Sequence, residues 1–275
     1  MNNSKQIKEM QRTELSIAKR FASICQQYGL SYTMLGGAML GAIRHKGFIP
    51  WDDDIDFGMP RDDYEKLKNI LKGSRPMGTL RLLDYTLDNS HDYPMKLVDT
   101  SFEIIEKNTA SKTTSYAWID IFPLDGMPNH RVARRLHGFF LLKDRALLKL
   151  SQLSTRVALI NPSRTTSEKM IIHAGKFLHL DKIFDERSRM RHLDCDLKKY
   201  DYKSSNYVVN FMGAYKLKEM FEKGVYDSLR SYPFEDTMFY GIADFDKYLS
   251  GMYGDYMTPP AVAERDKHKI EVKNH

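Results

Sequence analysis

Four carboxylates, Asp52, Asp53, Asp54 and Asp56, fall within five positions, directly after the glycine-rich, basic run Gly36-Gly37-Ala38-Met39-Leu40-Gly41-Ala42-Ile43-Arg44-His45-Lys46-Gly47. Neighbouring like charges repel, so a fold has no structural reason to gather them, whereas a divalent cation supplies one. If Asp54–Met59 is extended, Asp54 and Asp56 share one face, about 7 Å apart along the strand, while Ile55 and Phe57 turn into the core. Asp52 joins that row if the extended conformation reaches back to it, and Asp53 faces elsewhere. Two such carboxylates can hold Mg²⁺ or Mn²⁺, hard cations that often share their oxygen ligands with substrate phosphates.

The residues before them suit the same chemistry. Gly36-Gly37, between a β-prone run and a short helix, lets the backbone approach a ligand and turns the first free N–H groups of the helix toward an anion. Arg44 and Lys46 can neutralise phosphate charge, the arginine by a two-pronged contact. His45 is either a further phosphate contact or a structural histidine. Asp120, in Trp118-Ile119-Asp120-Ile121-Phe122, is the candidate third carboxylate. It is a third metal ligand, a base for an attacking hydroxyl, or an ordinary solvent-facing strand acid. Lys96 is either an extra phosphate contact or an exposed strand lysine, and Asp125, before Gly126, reads as a turn residue.

Several elements must position these groups. Ile7, Met10, Leu15, Ala18, Phe21, Ala22 and Cys25 recur near the helical period and predict a helix over 4–28, stopped at Gly29. Leu30–Leu35 is β-prone, and Ala38–His45 forms a short helix. Asp54–Met59 is a strand closed by Pro60, and Arg61–Leu71 an amphipathic helix. A turn follows over Gly73–Gly78, then short strands at Leu80–Leu83, Met95–Val98, Phe102–Ile105 and Ala117–Phe122, the last ending at Pro123. Helical patterns then cover Arg131–Leu153, Ser167–Leu180 and Lys182–Lys199, with one more strand at Tyr207–Phe211. The expectation is a mixed α/β catalytic half over residues 1–128 and a mainly helical half over 129–275, packed on it.

Composition bounds the rest. With 275 residues and 42% apolar side chains the chain can bury an ample core, which excludes a disordered class. Cys25 and Cys195 have no His or Cys at metal-ligand spacing and read as ordinary thiols. Lys5, Lys8, Glu9 and Arg12 interrupt any apolar leader near the N-terminus, and no uncharged apolar run approaches a membrane span, so the expected location is the cytoplasm. The net charge of +6 is uneven: residues 131–180 hold 10 Lys+Arg against Asp144 and Glu168. That block is either a solvated helical face or a surface that meets anions.

The run 36–56, Trp118-Ile119-Asp120-Ile121-Phe122-Pro123-Leu124-Asp125-Gly126, and Tyr253-Gly254-Asp255-Tyr256-Met257-Thr258-Pro259-Pro260 followed by Arg265 and His268 together resemble the LicD family across roughly residues 5–270. The resemblance implies an α+β fold, a nucleotidyltransferase-like mixed sheet of DNA polymerase beta type, with Gly36, Gly37, Asp54, Asp56 and Asp120 in the matching places. LicD-like enzymes are similar to fukutin-related proteins. They move a phospho-alcohol group, typically phosphocholine, from a CDP-linked donor to a sugar of a surface glycan. The resemblance thus implies a CDP-alcohol donor, CMP as leaving group and a surface glycan or lipid-linked sugar as acceptor. Metal would sit at Asp54, Asp56 and Asp120, and substrate at Gly36, Gly37, Arg44, His45, Lys46 and His268. A lipid-linked acceptor gives Arg131–Leu153 two readings. With Phe139, Phe140, Leu141 and Leu142 among Arg131, Arg134, Arg135, Lys143 and Arg145, it lies on an anionic membrane or packs as a core helix with a basic outer face.

Three other functions compete. A nucleotidyltransferase moving a nucleoside monophosphate from a nucleoside triphosphate to a small hydroxylated substrate would use the same carboxylates. A basic nucleic-acid-binding module conflicts with the acidic cluster and lacks a recognised binding motif. The third is a metal-free pseudoenzyme.

Overall fold

Helix α1 (Asn3–Tyr28) buries Met10, Ile17, Ala18, Phe21 and Cys25 along one stripe and ends at Gly29, whose φ of 62° closes the last turn. The computed structural model describes residues 3–73, 78–87, 93–106, 113–152, 184–261, 265 and 270–272. Strand β1 (Thr33–Met34) leads directly into α2 (Gly36–Arg44), and β2 (Asp56–Pro60) into α3 (Arg61–Gly73). Then come β3 (Leu80–Leu83), β4 (Met95–Glu106), β5 (Thr113–Met127) and α4 (Arg131–Ser151). After the next described stretch begins, α5 (Glu186–Leu197) is capped by the Asp185 side chain, which accepts from Ser188 N–H at 2.7 Å.

The remaining elements are β6 (Tyr207–Val209), a 3₁₀ turn (Lys216–Glu219), β7 (Met220–Glu222), α6 (Lys223–Asp227), β8 (Leu229–Phe234), β9 (Thr237–Ile242), α7 (Phe245–Tyr253) and β10 (Ile270–Val272). The main sheet runs β1-β2-β5-β4-β10, with β3 also on β4 and β6 on the far end of β5, followed by β7. Among the described residues only β2 and β5 pair in parallel; the other pairs are antiparallel. This is the α+β mixed sheet that the sequence predicts. Its main cluster of buried side chains draws on Phe21, Phe57, Ile119, Phe234 and Tyr248, and a second, under α4 and α5, on Met127, Leu141, Leu193, Val209 and Phe211.

Some expectations change in detail. The strand carrying the aspartates begins at Asp56 rather than Asp54, yet Ile55 and Phe57 are buried and Asp54 and Asp56 are less so, and the alternation holds. Met95–Val98 and Phe102–Ile105 are one strand whose register shifts between Asp99 and Glu103. Pro123 does not end β5, which continues to Met127. The β8–β9 hairpin is not anticipated. It packs Phe239 on Phe57 with ring centroids 5.5 Å apart, and at its tip Glu235 N–H donates to Lys46 O at 2.8 Å while its side chain accepts from Phe48 N–H. The expected helix over Ser167–Leu180 lies outside the described residues, as does most of the Gly73–Gly78 turn. Cys25 and Cys195 are both free thiols.

Asp125 is a buried strand residue, not a turn residue. It receives both Nε (2.6 Å) and Nη2 (2.8 Å) of Arg61, whose Nη1 reaches Asp194 at 2.9 Å. Asp194 also accepts from Tyr85, Tyr93 and Lys198. This network pins α3 and α5 to β5, and removing one partner would leave the others buried with less compensation. Asp125→Ala should therefore lower unfolding free energy by about 3–5 kcal/mol in urea titration, and Asp125→Asn by less. An unchanged midpoint for both would deny the network a structural role.

Candidate active site

The acids sit where the turn into α2 meets the loop before β2. Leu35 N–H donates to Asp56 O at 3.0 Å, which lays the start of α2 across the start of β2. Gly36 adopts φ 48°, in the left-handed region, and a Cβ there would lie 3.8 Å from Asp56 Oδ2 and 3.6 Å from the Tyr253 hydroxyl. A Cβ on Gly37 would come within 2.8 Å of Asp52 Oδ2, so this position excludes any side chain without displacing the carboxylate. Leu35, the residue capping α2, gives no side-chain hydrogen bond to its N-terminus, which leaves backbone donors of that first turn for an anion. From the other side, Gln11 Nε2 on α1 holds the acidic loop through Asp52 O (2.7 Å) and Ile49 O (3.3 Å).

These residues open onto a cavity of about 650 Å³. Gly36, Gly37, Asp52, Asp54 and Asp56 line it, as do Arg44, Trp51 and Arg265, with Tyr215, Tyr253, Tyr256, Asn210 and Glu219. Arg265 lies over the Trp51 ring, its guanidinium carbon 4.4 Å from the centroid, and Arg44 lies 6.0 Å away. Arg44 Nη1 donates to Tyr256 O at 2.8 Å. Burial, with Arg265 next, lowers the Arg44 pKa from its usual value. The cavity lining thus combines carboxylates with a pair of guanidiniums gathered at Trp51.

Of the residues predicted from sequence, Gly36, Gly37, Asp54, Asp56, Arg44 and the auxiliary Asp52 meet here. Asp120 stands opposite Asp56 in the parallel β2–β5 pair but is not part of the lining. It accepts from Trp118 Nε1 at 2.9 Å, and Lys96 Nζ is 3.9 Å from its other oxygen and 4.1 Å from the Trp118 ring. His45 and Lys46 are not brought to the cavity wall. His45 packs edge-on to Trp51, with burial and Arg44 lowering its pKa, and Lys46 is exposed with φ 58°. Asp53 is buried, away from the lining. His268 lies outside the described residues.

Two acids join that the sequence pattern does not single out. Glu14, on α1, is fully buried, and neither of its oxygens has a hydrogen-bond partner among the described residues. Burial first, then Asp54, Asp53, Asp52 and Asp120, drive its pKa well above the usual carboxylate range. Glu219 is buried at the cavity wall. Tyr248 donates to its Oε1 (2.6 Å) and Asn210 to its Oε2 (3.1 Å), while the same Tyr248 hydroxyl accepts from Gly36 N–H (3.0 Å). A continuous chain therefore ties the Gly-Gly turn to α7 and to Glu219. No local motif marks either glutamate; only the spacing of Glu14 on the same helical stripe as Met10, Ile17 and Phe21 hints that it turns inward.

The acids crowd one another. Burial pushes Asp56 well above its ordinary pKa, with Asp54, Asp120, Asp52 and Glu219 adding to the push. An all-oxygen set whose repulsion a cation would relieve fits Mg²⁺ or Mn²⁺ by donor chemistry. A different grouping compatible with a divalent metal lies between α4 and α5. One ligand atom each from Asp144, His192 and Asp196 falls within 4.8 Å of the others, and among the described residues this is the one set of three so close. Lys143 Nζ, 3.1 Å from Asp144 Oδ1, already supplies positive charge there.

Residues 29–135 match the family model described as LicD/FKTN/FKRP, nucleotidyltransferase domain. The chain carries a LicD-family domain. It is 28% identical over 269 residues to the lipopolysaccharide cholinephosphotransferase LicD of Haemophilus influenzae, covering 96% of each protein. It is also 37% identical over 60 residues to the ribitol 5-phosphate transferases FKRP of Homo sapiens and Mus musculus, 21% of this chain and 12% of each of theirs. The LicD-domain match spans α2, β2 and β5, and so covers Gly36, Gly37, Asp54, Asp56 and Asp120.

Glu219 gives a pH signature. Burial raises its pKa from 4.5 to about 7, against the hydrogen bonds from Tyr248 and Asn210. A folded-state pKa above the unfolded one stabilises the fold fully below about 4.5, and that contribution is lost as pH rises through about 7. Between pH 5 and 8 in EDTA, Glu219→Gln should gain on the wild type by up to about 3 kcal/mol. A difference between the two that does not change with pH would refute the assignment.

Proposed function

We infer that this protein is a metal-dependent transferase that moves a phospho-alcohol group, phosphocholine foremost, from a CDP-linked donor to a sugar hydroxyl of a surface glycan or its lipid-linked precursor, releasing CMP. The observation that carries the reading is the make-up of one cavity. Carboxylates around a Gly-Gly turn share a space of about 650 Å³ with two arginines and a tryptophan, and the chain resembles a cholinephosphotransferase along nearly its whole length.

Asp54 and Asp56, with Asp120 as third ligand or as base, would hold Mg²⁺ or Mn²⁺. When bound, that ion neutralises charge on the donor diphosphate. The chain's own groups do the rest. The N-terminal turn of α2 and the Arg44 and Arg265 guanidiniums meet phosphate oxygens and orient the diphosphate for in-line attack. Tyr248 holds the Gly36 N–H in place through its hydroxyl, so the turn keeps its shape against the acids. The faces of Tyr215, Tyr253 and Tyr256 suit a quaternary ammonium, while Trp51 already carries the two guanidiniums. The acceptor hydroxyl gives its proton to Asp120 where that carboxylate is not a metal ligand. In this reading residues 1–128 bring the acids and the Gly-Gly turn, while 129–275 add Arg265, Tyr248 and the cavity tyrosines, present the acceptor and face an anionic membrane from the cytoplasmic side. No helix among the described residues is long and apolar enough to cross a membrane.

Incubation with CDP-choline, CDP-glycerol, CDP-ribitol and CTP in Mn²⁺ tests the reading. CMP should form from a CDP-alcohol, and Asp54→Asn or Asp56→Asn should slow that release by about 100-fold or more. Arg44→Ala should raise KM for the donor more than it lowers kcat. Pyrophosphate from CTP, with no CMP from any CDP-alcohol, would identify a nucleotidyltransferase instead.

A further inference from the structure

Helix α4 has already satisfied its inner face. His137, Gly138, Leu141, Asp144 and Leu148 are buried. Two of its arginines also serve the interior: Arg134 donates to Pro128 O and Asn129 O, and Arg145 to Phe211 O and Gly213 O. That removes Leu141, Arg134 and Arg145 from the outward surface that the sequence pattern suggests.

What remains outside is still strongly apolar. Val132 is 66% exposed, Leu136 55%, Phe139 63% and Phe140 42%. The spacings 132, 136, 139 and 143 follow one line along the helix, with Phe140 beside it. Lys143 ends that line with its Nζ 5.2 Å from the Phe140 ring centroid, and Phe139 and Phe140 lie 5.9 Å apart. Arg131 and Arg135 are exposed on the same side. Asp144, the one acid in the helix, is buried and paired with Lys143 at 3.1 Å. A monomeric surface rarely offers so many adjacent large apolar groups without a partner.

We propose that the outer face of α4 seats the protein on an anionic lipid bilayer, with Val132, Leu136, Phe139 and Phe140 entering the interface and Arg131 and Arg135 meeting lipid phosphates. An interfacial helix has this composition: apolar side chains that need only a few ångströms of depth, flanked by cations and free of outward acids. A second copy of the chain suits the face poorly, because a two-fold contact would set these cations against themselves. The inference takes up the membrane-facing part of the proposed function. Its test uses no CDP-alcohol, so either can fail without the other.

The test is sedimentation of the full chain with vesicles of phosphatidylcholine alone and of phosphatidylcholine mixed with phosphatidylglycerol, read with the intrinsic fluorescence of a Phe139→Trp variant. The protein should bind the mixed vesicles at low salt and leave them largely at high salt. Binding should shift the emission of the tryptophan introduced by Phe139→Trp to the blue. Leu136→Ser with Phe139→Ser should weaken binding about tenfold or more while the melting temperature stays within a few degrees. Arg135→Glu should weaken it chiefly at low salt. The proposal is overturned by no binding at low salt, or by binding that the serine pair leaves untouched. A dimer in light scattering that the serine pair dissociates would also overturn it, by giving the face to a second copy.

Discussion

Repulsion among buried and half-buried carboxylates is the constraint around which this molecule is arranged. Asp52, Asp54 and Asp56 face the Gly36-Gly37 turn, Asp120 stands beside Asp56 on the next strand, Glu14 lies buried near them and Glu219 closes the cavity from another wall. Nothing in the local backbone favours such crowding, so it is imposed by packing. Gln11 grips the loop from α1, Glu235 grips the segment after α2, and the Tyr248 hydroxyl bridges Gly36 N–H to Glu219. The cost shows in the raised pKa values of Asp56, Glu14 and Glu219, and all three acids gain from a nearby positive charge.

The same arrangement explains the shape of the cavity. The acids gather around the start of β2 and the turn into α2. The opposing cations come from the last turn of α2, at Arg44, and from the distant C-terminal segment, at Arg265. Trp51 joins them, because the guanidiniums of both arginines lie within 6.0 Å of its ring. Residues far apart in the chain thus bring both signs of charge to one cavity.

Much of this was legible in order. Period-two alternation placed Ile55 and Phe57 inward and Asp54 and Asp56 outward, and the helical stripe of α1 was readable from Met10 to Cys25. The Gly-Gly turn and the acids it touches were local, so a local pattern found them. Glu14 and Glu219 escaped because their role depends on burial beside residues that tertiary contacts supply. His45 and Lys46 misled for the opposite reason: they follow Arg44 in sequence, but the helix end and the left-handed turn at Lys46 send them off the cavity wall. Asp125 looked like a turn acid beside Gly126 because its partner, Arg61, is brought to it only by the parallel pairing of β2 with β5.

The account stands on the acid cluster gripping a divalent cation. The most direct measurement is calorimetric titration of Mn²⁺ into the wild type, the Asp54→Asn/Asp56→Asn double variant and His192→Ala. The account predicts that the double variant loses binding by at least about tenfold, while His192→Ala keeps it. Binding that survives the loss of both aspartates and disappears with His192 would place the cation between α4 and α5 and contradict it.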